Sequence, residues 1–223
     1  MSWLGIDIGG ANLKSADDRG WARSVPFPLW RKSEELAQEL EHLITSGPTA
    51  ERLAVTMTGE LCDCFSSKSE GVQRILDSVQ AVAAGRDVCV YCVDGRFVTV
   101  DEARKTPDLA AASNWHALAS FACRFLPDRT GLLVDIGSTT TDIIPLVDGR
   151  VAAIGCNDTE RLLAAELVYR GVGRTPICAV TNTLPWRGET CPIAAEVFAT
   201  TADAYVLTGE LDEEPEEKKN LED

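Results

Sequence analysis

One strand-and-turn segment occurs twice in this chain, and the repetition restricts the architecture more than any other feature. Leu4-Gly-Ile-Asp-Ile-Gly-Gly-Ala-Asn-Leu-Lys14 aligns without a gap on Leu132-Leu-Val-Asp-Ile-Gly-Ser-Thr-Thr-Thr-Asp142. Asp7 therefore matches Asp135, Gly9 matches Gly137, and Lys14 falls opposite Asp142. The copies continue alike, through Ser15 to Val25 and through Ile143 to Ala153, each reading as strand, Gly-containing turn, strand. A duplicated strand, loop and hairpin implies two related halves whose loops face each other across a cleft.

The loops have the composition of phosphate sites. Glycine lets backbone N–H groups close on phosphate oxygens, hydroxyls add donors, and an Asp at the strand end can hold a metal through water. On this reading Gly9, Gly10, Asn12 and Lys14 bind phosphate from the first copy, and Gly137, Ser138, Thr139 and Thr140 from the second. Asp7 and Asp135 are the Mg²⁺ candidates. A single Gly-rich turn after a strand reads first as a plain turn, so the duplication carries the argument. Lys14 has two readings, a solvated strand residue or a cation that the hairpin returns toward the first loop.

Composition narrows the partners. A formal charge of −14 in 223 residues argues against nucleic acid or an anionic membrane surface, since either requires a basic face. Much of the acidic excess lies in residues 210–223, so an anionic ligand must be met by local N–H groups, a few cations or a metal. Eight cysteines spread over a chain of this size, rich in Ala, Leu and Val, read as reduced thiols. The close pairs, Cys62/Cys64 and Cys89/Cys92, read as small apolar packing residues against the alternative of zinc or redox chemistry. Neither a signal-peptide pattern nor an apolar run long enough for a bilayer is visible, and the expectation is a soluble cytoplasmic protein.

In chain order, strands are expected at Trp3 to Ile8, Asn12 to Ala16 and Trp21 to Phe27, then an amphipathic helix from Ser33 to Ile44. A strand over Leu53 to Thr58 runs into Glu60 and Asp63, candidates for metal binding or general-base work as readily as for helix capping. A helix from Lys68 to Ala84, a strand over Val88 to Val93 and another over Arg96 to Val100 follow. The order β-β-β-α-β-α-β is that of a ribonuclease-H-like half. Helices are expected over Asp108 to Leu126, Asp158 to Val168 and Ala194 to Leu211. Thr175 to Cys191 reads as an irregular loop, in which Arg187 is either a surface cation or a clamp for an anionic substrate. The domains are 1–126, 127–211 and an acidic tail at 212–223.

Asp7 to Lys14, Met57 to Phe65, Lys68 to Val72, Ala112 to Trp115, Asp135 to Asp142 and Phe198 to Asp203 together resemble the hydantoinase/oxoprolinase-like branch of the actin, Hsp70 and sugar-kinase ATPase superfamily. Within it they are most similar to the tetrahydromethanopterin-linked C1-transfer proteins, relatives of the archaeal methanofuran-biosynthesis synthase. The resemblance implies an α/β fold, a duplicated ribonuclease-H-like (actin-like ATPase) fold with two halves around a phosphate-binding cleft, the second half incomplete. It also implies Asn114 as a substrate-binding residue. Superfamily relatives continue into a unit that completes the adenine side, whereas this sequence runs into an acidic tail. Either the chain is truncated relative to the family or it needs no base-binding pocket.

The implied reaction joins a phenolic acceptor, tyramine- or tyrosine-like, to an aminomethyl-furan diphosphate and releases pyrophosphate. Mg²⁺ at Asp7 and Asp135 would steady the diphosphate, and Glu60 or Asp142 would take the phenolic proton. The alternatives are an ATP-dependent hydantoinase/oxoprolinase-type hydrolase or small-molecule kinase, and a nucleotide-sensing subunit without turnover. The sequence carries no signal for oligomeric state.

Overall fold

A computed structural model describes residues 2–212; residues 213–223 of the expected tail lie outside the described residues. The first half is a six-stranded sheet built from β1 (Trp3–Ile8), β2 (Asn12–Ala16), β3 (Ala22–Pro26), β4 (Arg52–Met57), β5 (Asp87–Tyr91) and β6 (Phe97–Thr99). The spatial order is β3-β2-β1-β4-β5-β6. The first three strands form an antiparallel meander, β1, β4 and β5 run parallel, and β6 returns antiparallel at the edge. This is the expected ribonuclease-H-like arrangement.

Period-two alternation decides which sheet face is covered. Leu4, Ile6 and Ile8 of β1, Leu13 of β2, and Leu53, Val55 and Met57 of β4 all point into the main core. There they meet α2 (Leu36–Thr45) and α3 (Lys68–Val82), which bring Leu36, Leu40, Leu43 and Ile75, Leu76, Val79 at helical spacing. The short α1 (Leu29–Lys32) precedes them, and α3 starts where the Ser67 hydroxyl accepts the Glu70 N–H. Each fully buried Leu or Ile contributes about 1.5–3 kcal/mol by leaving water. The other sheet face carries small residues, among them Gly5, Ala16 and Ala54.

The expected helix over Asp108 to Leu126 is divided. After α4 (Val100–Lys105) and α5 (Pro107–Ala110), Ala112 takes a left-handed φ of 47°, and the chain restarts as α6 (Asn114–Ala122). Trp115 and Ala119 of α6, with Cys123 just after it, form a second core with Ile144 and Leu146 of the following sheet. That core draws on both sides of residue 126.

The second half repeats the meander with β7 (Thr130–Ile136), β8 (Thr141–Val147) and β9 (Arg150–Val151). The helix expected over Asp158 to Val168 is shorter, α7 (Asp158–Leu163). Ala165 turns at φ 57°, and Leu167–Val168 becomes β10, paired with β8. Glu166 drives that turn by accepting the N–H groups of Ile154 and Gly155 at 2.6 and 3.1 Å. The stretch expected to be irregular holds α8 (Ile177–Val180) and a hairpin of β11 (Thr183–Trp186) and β12 (Glu189–Pro192). The helix expected from Ala194 is only α9 (Thr201–Thr208), because Pro176 bridges Thr200 and a Thr200/Asp203 capping box starts the helix there.

Among the described residues no strand pairs with the outer edge of β7. Its Leu132, Val134 and Ile136 side chains, on the face away from the core, are exposed. Removing buried volume under β4 tests the packing argument. Leu53→Ala should lower unfolding stability by about 2–5 kcal/mol, read from the shift of the denaturant midpoint at unchanged slope.

Candidate functional site

The strand register carries the sequence repeat into space. Asp7 on β1 stands across from Lys14 on β2, and Asp135 on β7 across from Asp142 on β8. The loop after each strand closes with the same hydrogen bond, Gly9 N–H to Asn12 O at 3.0 Å and Gly137 N–H to Thr140 O at 2.8 Å.

Each loop is held from behind by chain of its own half. Phe27 and Leu29 donate their N–H groups to the carbonyls of Ala11 and Gly10 at 2.8 and 2.9 Å. In the second half Val172 donates to Gly137 O at 3.0 Å, while Gly173 and Arg174 donate to Ser138 O at 3.0 and 2.7 Å. Gly171 lies so close to the Gly137–Thr139 backbone that no side chain fits there. With their carbonyls engaged on the far side, the loops leave N–H groups free. Among the described residues those of Gly10, Ala11, Ser138 and Thr139 donate to no protein acceptor, which is the arrangement of an anion-binding nest.

Both loops line one cleft of about 650 Å³. Gly9, Gly10 and Asn12 face it from the first half, and Gly137, Ser138, Thr139 and Thr140 from the second. Asp7, Lys14 and Asn114 also line it. The Asp7 carboxylate accepts from Lys14 Nζ at 3.4 Å and from the Thr56 hydroxyl at 3.3 Å. The sequence reading missed Arg174 and Trp30 at the same cleft, with the guanidinium 5.5 Å from the indole centroid. Arg174 directly follows the glycines that buttress the second loop, and that adjacency was the available signal. Cys62 lines the cleft as well; burial pushes its thiol up to about 11, so it supplies no thiolate near neutrality.

Four expected site residues sit elsewhere. Asp135 is exposed at the end of β7 and does not line the cleft, so Asp7 is the one member of the expected metal pair that does. Among the described residues no three His, Cys, Asp or Glu side chains converge as a metal-binding group. Asp142 borders a side pocket of about 190 Å³, where it receives Arg161 Nη2 at 2.8 Å. Burial raises its pKa and the guanidinium opposes the rise. Arg187 lies in the turn of the β11–β12 hairpin at φ 52°, beside Trp186 and away from the cleft.

Glu60 is 1 % exposed. Its Oε1 accepts the Ala112 N–H at 2.7 Å, Oε2 has no partner among the described residues, and Gly71 of α3 packs against its backbone. Burial pushes this carboxyl up to about 7. Between its usual 4.5 and 7 the folded state keeps a proton that the unfolded chain has lost, so stability falls as pH rises through that window. The loss should total about 3 kcal/mol. Denaturant titrations from pH 4 to 8 should show it in the wild type and not in Glu60→Gln. For the cleft, Arg174→Ala should weaken pyrophosphate about 10- to 100-fold by calorimetry, the value of a charge-assisted hydrogen bond, whereas Arg187→Ala should not.

A model of the hydantoinase/oxoprolinase family matches residues 51–222. The (4-{4-[2-(gamma-L-glutamylamino)ethyl]phenoxymethyl}furan-2-yl)methanamine synthase of Methanocaldococcus jannaschii is 41 % identical over 214 residues, covering 95 % of this chain and 63 % of that protein. The Methanococcus vannielii protein of the same name is 42 % identical over 86 residues, 39 % of this chain and 38 % of that one. The chain thus spans less than two thirds of the length of the curated relatives it matches. A solved Ppx/GppA family member from Aquifex aeolicus is similar with a TM-score of 0.42 and 15 % identity, covering 77 % of this chain and 52 % of that one. No helix among the described residues is long and apolar enough to cross a membrane.

Proposed function

The chain belongs to the hydantoinase/oxoprolinase family, and from that premise we propose that it is a transferase that joins a phenolic acceptor to an aminomethyl-furan diphosphate and releases pyrophosphate. The observation that carries the reading is the pair of loops that line one cleft with N–H groups donating to no protein acceptor among the described residues, flanked by Lys14 and Arg174. The names of the two synthase relatives supply the chemistry, since each describes a phenoxymethyl ether on a furan that bears a methanamine.

In this reading the diphosphate lies between the loops. Gly10, Ala11, Ser138 and Thr139 N–H groups and the two cations receive the negative charge that grows on the departing oxygen. The donors stand in place before the reaction, so little reorganisation is needed as the bond breaks. Mg²⁺ would be carried mainly by the phosphates and by water, with Asp7 reaching its shell through water so that the carboxylate stays free to take a proton, because Mg²⁺ dehydrates reluctantly and usually keeps several waters. It would neutralise the leaving group. Glu60 is enclosed and Asp142 is occupied by Arg161, so neither is free to meet an acceptor in the cleft as it stands. Asp7 and Asp63 are the carboxylates that line the cleft; of the two, Asp7, beside Lys14 at 3.4 Å, takes the phenolic proton in this reading.

The same reading places the protein in tetrahydromethanopterin-linked C1 metabolism in the cytoplasm, with small-molecule partners and neither nucleic acid nor membrane. A second reading, an ATP-dependent hydrolase, is favoured by the family match itself. Thermal shifts separate the two, since the transferase prefers magnesium pyrophosphate and the hydrolase prefers ATP. The deciding assay is pyrophosphate release from the furan diphosphate with tyramine, tyrosine or γ-glutamyltyramine as acceptor. Wild type should turn over with at least one, and Asp7→Asn should lower kcat about 10²- to 10⁴-fold, as loss of a general base does. Wild-type inactivity with all three acceptors would overturn the transferase reading.

A further inference from the structure

The open face of the first sheet holds a larger and more apolar groove than the phosphate cleft, of about 730 Å³. Its floor is small, with Gly5 on β1, Ala16 on β2 and Ala54 on β4, so a flat ring can lie against the backbone. Its wall is aromatic. Tyr91 and Phe97 meet edge to face with centroids 5.0 Å apart, and Phe121 of α6 stands among the lining residues. Phe97 and Phe121 are more than half exposed, an uncommon cost for a face that has no task. The Tyr91 hydroxyl is held by His116 Nδ1 at 2.9 Å and Ser120 Oγ at 2.8 Å, which fixes the ring as part of the wall.

Two features tie this groove to the cleft and to one chemistry. Asp7 and Lys14 line both spaces, so the groove opens onto the place where the diphosphate ends. Arg23 and Arg124 also line the groove, with the Arg124 guanidinium 5.8 Å from the Phe121 ring centroid, and give it a cationic character suited to a carboxylate tail.

Resting on the transferase reading, we propose that this groove is the acceptor subsite and that it takes a para-substituted phenol whose tail ends in an α-amino-acid carboxylate, of which γ-glutamyltyramine is the type. The ring lies on the small-residue floor between the aromatic walls, the tail carboxylate meets Arg23 and Arg124, and the phenol oxygen points to Asp7. With the reacting methylene at the Asp7–Lys14 junction, the phenol approaches from the groove while the diphosphate leaves into the cleft, on opposite sides of one carbon. The aryl oxygen–carbon bond forms, the carbon–oxygen bond to the diphosphate breaks, the phenolic proton passes to the Asp7 carboxylate, and pyrophosphate departs with the bonding electrons.

Calorimetry on the full chain without any furan donor tests the subsite apart from turnover. Wild type should bind γ-glutamyltyramine more tightly than tyramine. Ala16→Trp, which fills the floor, should weaken both phenols at least tenfold while magnesium pyrophosphate binds as in wild type. Arg124→Ala should weaken γ-glutamyltyramine several-fold and leave tyramine unchanged, and it carries the decision alone if the tryptophan variant does not fold. No saturable phenol binding to wild type, or equal affinities in wild type and the folded variants, would overturn the subsite. Pyrophosphate release in the donor assay together with an unaltered phenol affinity in Ala16→Trp would sink the subsite and spare the transferase. Groove-dependent phenol binding without any pyrophosphate release would do the reverse.

Discussion

The second half of the molecule depends on one buried guanidinium. Where the first copy of the repeat sets Asp7 against Lys14, the second sets Asp135 against Asp142, two like charges across a strand pair. Arg161 supplies the missing cation from α7. It is 2 % exposed, donates to Asp142 and to the Glu166 carbonyl, and lies 3.9 Å from the centroid of the Trp115 ring. That side chain therefore joins β8, the turn into β10 and α6 at a single point. A buried ion pair adds little net stability over an apolar replacement, yet deleting one partner costs about 3–5 kcal/mol because the other is stranded. The arginine thus supplies in the second half the positive charge that Lys14 supplies in the first.

Helix α6 serves three surfaces at once. Asn114 at its start borders the phosphate cleft, Trp115 and Ala119 pack under β8, and Ala117, Ser120 and Phe121 form the wall of the groove on the first sheet. The left-handed turn at Ala112 allows this by aiming the helix away from α5. That same turn presents its N–H to Glu60. A carboxyl that looks catalytic in the sequence is consumed in holding the corner.

What could be read from the residues was what repeats or alternates. The gapless match of the two copies anticipated that each half opens on the same strand, loop and hairpin, and the element order of the first half followed from its apolar runs. Lys14 read as a cation that the hairpin returns toward the first loop, and the register sets it across from Asp7. Residues placed by unrepeated contacts were harder to read. Arg174 and Trp30 reach the cleft through segments that bind the loop carbonyls from behind; the glycines beside Arg174 were a faint trace of this, and Trp30 left none. Glu60 read as a candidate for metal binding, general-base work or helix capping, because its burial comes from Gly71 and Ala112, distant in the chain. The helix expected over Asp158 to Val168 had helical spacing throughout, and it ends early because Glu166 gains two backbone donors by leaving it.

The buttressing of the loops has a consequence for selectivity. Each loop is pinned to its own half by hydrogen bonds to its carbonyls, so neither must be ordered when an anion arrives. The remaining adjustable quantity is the gap from one half to the other. If a diphosphate bridges the two loops as proposed, each phosphate meets donors already set in place, and preference over a single phosphate would rest on how many loops an anion engages rather than on its charge alone.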